Sequence, residues 1–207
     1  MPEADTSFPR RVKQLDGGAL RALAHPLRVR LHAALRAHGP ATASMLAERL
    51  GESSGATSYH LRVLARHGFV EEDTSRGTAR ERWWQLTHDM TSWRSEEFVD
   101  DPDARAADQW LAGYLARRAM EHIDDWLARR ADEDEAWVAA GDLSDYGHDM
   151  TPAQARAMLT EVHDVVLRHM DAAGRALAAG EADPAEARLV RLLVYALPEA
   201  ATEGPGA

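Results

Sequence analysis

The stretch Thr42–Val70, TASMLAERLGESSGATSYHLRVLARHGFV, decides how this chain folds. Its centre, Gly51–Gly55 (GESSG), fits G-x-S-x-G, a pattern that in hydrolases sets a nucleophilic serine on a turn between a strand and a helix. That reading needs a buried strand just before Ser53. The preceding residues instead place Leu46, Ala47 and Leu50 at helical spacing behind Thr42, a good N-cap, and stop at Gly51. After Ser53, Thr57, Leu61 and Leu64 recur at steps of four and three, an inward stripe that ends at Gly68. Helix, short turn, helix is the helix-turn-helix arrangement, with Ser53 as the cap of its second helix. No catalytic residue is assigned.

The flanks complete a small domain. Leu15–His25 reads as a helix, and Pro26 suits the first position of another, PLRVRLHAALRAH, whose Leu27, Leu31, Ala34 and Leu35 share a face up to Gly39-Pro40. Downstream, FVEED and ARERWWQLT flank TSRGT as two short strands around a glycine turn. The alternation puts Trp83 and Trp84 on opposite faces, one of them packed on the helices.

These residues resemble the winged helix-turn-helix domains of the ArsR (SmtB-like) bacterial transcriptional regulators. The likeness is carried by ALAHPLRVRLHAAL, by the central stretch with its S-x-H-L-x-V-L run, and by GTARERWWQLT, about residues 18–87. It implies a homodimer that reads an inverted repeat in double-stranded DNA, more often to repress than to activate. The family's best-known metal sites use cysteine pairs. This chain has 0 cysteines, so thiolate sensing is excluded and any sensing must use other chemistry; no cofactor and no metal ligand is assigned.

In such a domain the second helix of the motif enters the major groove. With Thr57, Leu61 and Leu64 inward, the outward positions are Ser54, Gly55, Ser58, Tyr59 and Arg62. Arg62 suits bidentate contact with guanine, and the serines suit phosphate or base edges. On the wing, Arg76 at the tip and Arg80 and Arg82 on the second strand suit phosphate or the minor groove. His60 and His67 read as packing or helix-end residues.

The net charge of −10 argues against a nucleic-acid partner until its distribution is read. Residues 1–86 carry 13 Arg/Lys against 9 Asp/Glu, and residues 87–207 the remaining 11 against 25. A basic half that faces DNA, joined to an acidic half with another task, fits this asymmetry. All cations but Lys13 are arginine, a usage that suits phosphate and guanine and that a GC-rich genome also produces.

Beyond residue 90, DARAADQWLAGYLARRAMEHIDDWLARRA reads as a long helix with Trp110, Leu111, Tyr114, Leu115, Ile123, Trp126 and Leu127 in one broad stripe. EAWVAAGDL reads as a strand. Thr151 and Gln154 form a capping box before a helix with Met158, Leu159, Val162, Val165, Val166, His169 and Ala173 inward. ARLVRLLVYAL reads as a strand apolar on both faces, stopped by Pro198. The expected fold is mainly α (α+β): a flexible arm (1–14), a winged helix-turn-helix domain (15–90), a helical dimerisation or effector domain with a small β component (91–199), and a tail (200–207).

Three readings compete for the acidic half. It serves as a dimer surface through the long helix; it binds a small apolar effector among Trp93, Trp110, Tyr114, Trp126, Trp137 and Met158; or it binds a metal. His122/Asp125, Asp145/His148/Asp149 and His163/His169 are the histidine–carboxylate sets available, and none has a recognised ligand spacing. An alternative function of a different class is a winged-helix module whose acidic half binds a protein partner. The start lacks the apolar stretch of a signal peptide and no apolar run is long enough to span a bilayer, so a cytoplasmic protein without membrane attachment is expected.

Overall fold

The computed structural model describes residues 11–76 and 81–200. They divide into two compact units, one ending at Trp126 and the other beginning at Leu127.

The first unit runs β1 (Val12–Gln14), α1 (Gly17–Leu23), α2 (Pro26–His38), β2 (Ala41–Thr42), α3 (Ala43–Leu50), α4 (Ser54–Arg66), β3 (Val70–Glu72), β4 (Trp83–Leu86) and β5 (Met90–Ser92). A 3₁₀ turn, Ser95–Phe98, leads into α5 (Pro102–Arg129), whose last residues enter the second unit. Each helix starts on a residue whose side chain accepts an otherwise orphaned backbone N–H. Asp16 serves Ala19, His25 Nδ1 serves Leu27, Thr42 serves Met45 and Ser53 serves Ala56. The stops are equally local. Gly51 (φ 66°, ψ 35°) takes the left-handed conformation that closes α3, and Gly68 (φ 66°) lets the chain leave α4 toward β3.

Leu20, Leu31, Leu46, Leu61, Leu64 and Phe69 are fully buried where α1–α4 converge. Strands β2, β4 and β3, in that order, form an antiparallel sheet with Ala41 opposite Trp84 and Val70 opposite Leu86. Trp84 is buried on the helices and Trp83 is half-buried, as the alternation predicts.

The expected loose arm ends differently. Val12–Gln14 pairs in parallel with Met90–Ser92, tying the start of this unit to the segment that follows the wing; residues 1–10 lie outside the described residues. The start of α5 also belongs to this unit. Phe98, Ala104 and Leu111 are buried in its core, Trp93 Nε1 donates to Asp108 at 2.8 Å, and a Cβ on Gly17 would stand 3.1 Å from that of Ala104. A side chain at 17 would therefore need Ala104 to give by a few tenths of an ångström. Asp101 fixes the junction: it accepts from the Ala104 and Asp103 N–H groups and pairs with Arg21 at 2.8 Å. Those contacts, the Ala104 hydrogen bond foremost, hold its carboxyl below the usual range.

The second unit holds a 3₁₀ turn (Arg130–Asp132), α6 (Glu135–Ala140) and α7 (Pro152–Ala178). Thr151 and Gln154 form the expected reciprocal capping box. EAWVAAGDL is not a strand: Asp134 accepts from the Ala136 N–H, and the alanine-rich residues behind it continue as a short helix. ARLVRLLVYAL is not a strand either. From Arg188 to Ala200 the backbone has no regular structure and pairs with no other segment among the described residues. The inward face expected of α7 is only partly covered, with Leu159, Val162 and Val166 half-buried and Met158, Val165, His169 and Ala173 exposed. In the stripe of α5, Leu111 is buried, Trp110, Tyr114, Ile123 and Trp126 are half-buried, and Leu115 and Leu127 are exposed.

Candidate nucleic-acid interface

Helix α4 owes its outward face to what it buries. Thr57, Leu61, Val63 and Leu64 are buried, which turns Ser54, Gly55, Tyr59 and Arg62 to solvent; Ser58 is half-buried. Tyr59 is 59% exposed despite its large ring, so an aromatic and a guanidinium stand together on a face otherwise made of small residues. The turn before α4 is held from α2. Arg30 pairs with Glu52 at 2.8 Å and also donates to the Leu50 carbonyl, bracing the GESS turn against the scaffold. Sequence periodicity does not reveal this brace, because Arg30 and Glu52 sit on different elements.

Ser53 is a cap: its hydroxyl accepts from the Ala56 N–H at 3.2 Å. Ser53→Ala is expected to lower stability by about 1 kcal/mol and Ser53→Asp to restore it, measured by thermal unfolding. Rapid labelling of Ser53 by a serine-directed covalent probe is the outcome that would return it to catalysis.

Two cations of the wing, Arg76 and Arg82, are already engaged. Asp73 accepts from the Ser75 hydroxyl at 2.6 Å and its N–H at 3.0 Å, and pairs with Arg76 at 3.1 Å. The Ser75 hydroxyl bond, more than the Arg76 charge, depresses the Asp73 carboxyl. Arg76 also lies 5.9 Å from the Trp83 ring centroid, and Arg82 stands 3.7 Å from Glu72. Both guanidiniums are more than half exposed, so phosphate can compete for them. Arg80 lies outside the described residues.

Histidines cluster behind this face. His60 lies against His25 with centroids 4.4 Å apart and ring planes tilted by 35°, and meets Tyr59 edge-on. Its Nδ1 is buried without a hydrogen bond, as are Arg28 Nε and Thr57 Oγ1. Burial first, then the neighbouring His25 and Arg28, lowers the His60 pKa, so its imidazole is neutral near pH 7. His67 caps the end of α4 and is exposed. A second pair, His32 on α2 and His88 beyond β4, is buried with the two Nε2 atoms 3.3 Å apart.

The aromatics proposed to line an effector pocket are spread along the chain. Trp93 and Trp110 pack on the core of the first unit, and Trp110 stacks on Tyr114 at 5.3 Å. Trp126 is half-buried near the end of α5, Trp137 lies under Arg188 at 5.0 Å, and Met158 is exposed on α7. Among the described residues no three His, Asp or Glu side chains are grouped to hold a metal ion, and no helix is long and apolar enough to cross a membrane.

Residues 23–73 match the family model described as a helix-turn-helix domain. Among solved structures, a "possible transcriptional regulator for arsenical resistance" is 30% identical over 57% of this chain and 98% of its own, with a TM-score of 0.30. NolR from Sinorhizobium fredii is 28% identical over 35% of this chain and 68% of its own, at 0.31. The transcriptional repressor BigR from Xylella fastidiosa is 25% identical over 48% and 82%, at 0.31. Such TM-scores are too low to compare whole shapes, and the likeness is one of sequence and motif. None of the curated proteins matches. The matched residues contain α3, the braced turn and the capped α4 and run into β3 of the wing, and over them the chain carries a winged helix-turn-helix domain similar to those of ArsR-like transcriptional regulators, in a form without cysteine.

Proposed function

We propose that this protein is a homodimeric repressor that occupies an inverted-repeat operator, reading bases through α4 and phosphates through the wing. The observation that carries the reading is the composition of the exposed face of α4. Ser54, Gly55, Tyr59 and Arg62 are presented to solvent by a helix whose cap, turn and buried stripe are all fixed by the scaffold. A rigidly held helix with one guanidinium among small side chains suits close approach to a groove floor. Ser58, half-buried, stands at the edge of that surface. Arg76 and Arg82 supply charge to the flanking backbone once phosphate displaces Asp73 and Glu72. One such unit touches few base pairs, so a two-fold pair of them is needed for useful affinity.

Selection of bound sequences from a random DNA pool tests this reading. A two-fold site is expected to be enriched, with log affinity falling steeply against log salt as counterions are released. Arg62→Ala is expected to cost ~1–3 kcal/mol and to relax one base position in each half-site. An unenriched pool, together with an Arg62→Ala variant that binds DNA as the parent does, would overturn the DNA reading and favour a protein partner.

A further inference from the structure

The start of α2 and the flank of α4 enclose polar atoms that nothing satisfies. Arg28 Nε and His60 Nδ1 are buried without a hydrogen bond, an arrangement that calls for a reason in a folded protein. Arg28 Nη2 donates only to the Arg21 carbonyl, at 3.5 Å, and no carboxylate pairs with this guanidinium among the described residues. His25, 4.4 Å from His60, accepts from the Leu27 N–H through Nδ1. Its proton is thereby fixed on Nε2, which leaves a second donor here with no acceptor among the described residues. Tyr59 is exposed and meets His60 edge-on at 5.2 Å.

The charge around these groups is one-sided. Burial first, with the Arg28 charge adding to it, lowers the pKa of both His25 and His60. Glu52, the carboxylate whose charge reaches His60, is engaged by Arg30 at 2.8 Å. Helix α2 has no acidic residue in its first turn, and Arg28 sits in that turn, where the helix dipole disfavours a cation. A cation held against the dipole, partly desolvated and without a counterion, is a cation waiting for an anion.

We propose that Arg28, with His25 Nε2–H and the Tyr59 hydroxyl beside it, seats a backbone phosphate of the operator. The inference rests on the DNA reading above and adds a contact from the scaffold helix to those of α4 and the wing. A helix about 10–12 Å across nearly fills a major groove about 12 Å wide, so the flanks of α4 face the two sugar-phosphate strands. His60 follows Tyr59 around α4 and packs that flank onto the start of α2, which sets Arg28 beside a strand rather than over the bases. A phosphate there supplies the anion the cluster lacks, and the long bond to Arg21 leaves the guanidinium little to lose by turning toward it. Such a contact fixes the depth and register of α4 and carries no sequence information.

Arg28→Met keeps the aliphatic bulk and removes the charge. Because the enclosed Nε has no partner to lose, the unfolding midpoint of this variant is expected to equal or exceed that of the parent. Binding is measured on the duplex enriched by selection and on an arbitrary duplex, each across a salt series. Arg28→Met is expected to weaken both by roughly 10-fold or more and to reduce the salt slope by about one per copy. Arg62→Ala, by contrast, weakens mainly the enriched duplex, and Arg28→Lys, which retains the charge, keeps the parent's slope. Methylphosphonates that neutralise single phosphates locate the contact: one position per half-site weakens the parent and leaves Arg28→Met indifferent. Arg28→Met with the parent's affinity and slope, while Arg62→Ala shows its loss, overturns the phosphate seat and leaves the DNA reading standing. A lower unfolding midpoint in Arg28→Met and Arg28→Lys alike, with no such methylphosphonate position, does the same and makes Arg28 a packing residue. If inorganic phosphate stabilises the parent but not Arg28→Met while neither duplex is bound, the cluster takes a free anion, and the DNA reading falls together with the seat.

Discussion

Replacing Phe69 with alanine is expected to destabilise the winged unit by about 3–5 kcal/mol, enough to consume much of the stability of a domain this size. Phe69 is fully buried at the point where α4 hands over to the wing. Its ring meets His32 edge-on at 6.0 Å and His88 at 5.8 Å, and Lys13 Nζ on β1 lies 5.3 Å from its centroid. Phe69→Ala therefore opens a cavity shared by α2, the wing base and the β1–β5 pair, and elements drawn from across the chain cannot all collapse into it. Phe69→Leu, which keeps most of the volume, is expected to cost less than half as much, at roughly 1–2 kcal/mol. Chemical denaturation of both variants provides the comparison. Equal losses in the two would show that the site tolerates a void and that Phe69 does not join these elements.

How far the sequence reveals this architecture depends on how local each cause is. The caps Thr42 and Ser53, the stop at Gly51 and the stripe Thr57, Leu61 and Leu64 act within a few residues of one another, and their chemistry is legible in order along the chain. Once that stripe is buried, the exposed side of α4, with Tyr59 and Arg62 on it, follows as its complement. What stays hidden is contact between distant residues. Val12–Gln14 is too short to announce itself as a strand, and its partner begins at Met90. The Arg30–Glu52 brace and the engagement of the wing arginines by Asp73 and Glu72 depend on tertiary neighbours that no periodicity encodes. In the second unit the failure has a different origin. Trp137 and Val138 favour a strand, but Asp134 caps a helix there, and Leu189–Leu197 has strand character with no neighbour to pair with among the described residues. Propensity describes what a segment is suited to; a sheet also needs a second strand.

Acidification is expected to unfold the winged unit in the window set by His32 and His88, a pair separated by 56 residues and invisible to any local motif. Thr87 Oγ1 donates to the Gly68 carbonyl at 2.7 Å and so accepts from His88 Nδ1 at 2.9 Å. That fixes the proton of His88 on Nδ1 and leaves its Nε2 as the acceptor for His32 Nε2–H. The pair is thus built for two neutral imidazoles. Burial above all, with Arg36 adding to it, lowers His32 to about 3 and His88 to about 4, against 6.5 for the free side chain. Both folded values lie below the unfolded one, so the unfolded chain binds more protons between them. Stability is complete above about pH 6.5 and falls as pH drops from there toward 4, by at most ~1.4 kcal/mol per pH unit for each imidazole. Protonating His88 would also turn the only acceptor of the pair into a donor facing a donor. The variant His32→Leu/His88→Leu is expected to flatten this slope while costing little at pH 7, because both partners of the buried hydrogen bond leave together. His88→Leu alone strands the His32 donor and is expected to cost about 1–3 kcal/mol at pH 7. Unfolding followed from pH 7 to 4 separates these cases. A double variant that loses stability with acid as steeply as the parent would place the proton uptake on other groups and reduce the histidine pair to packing.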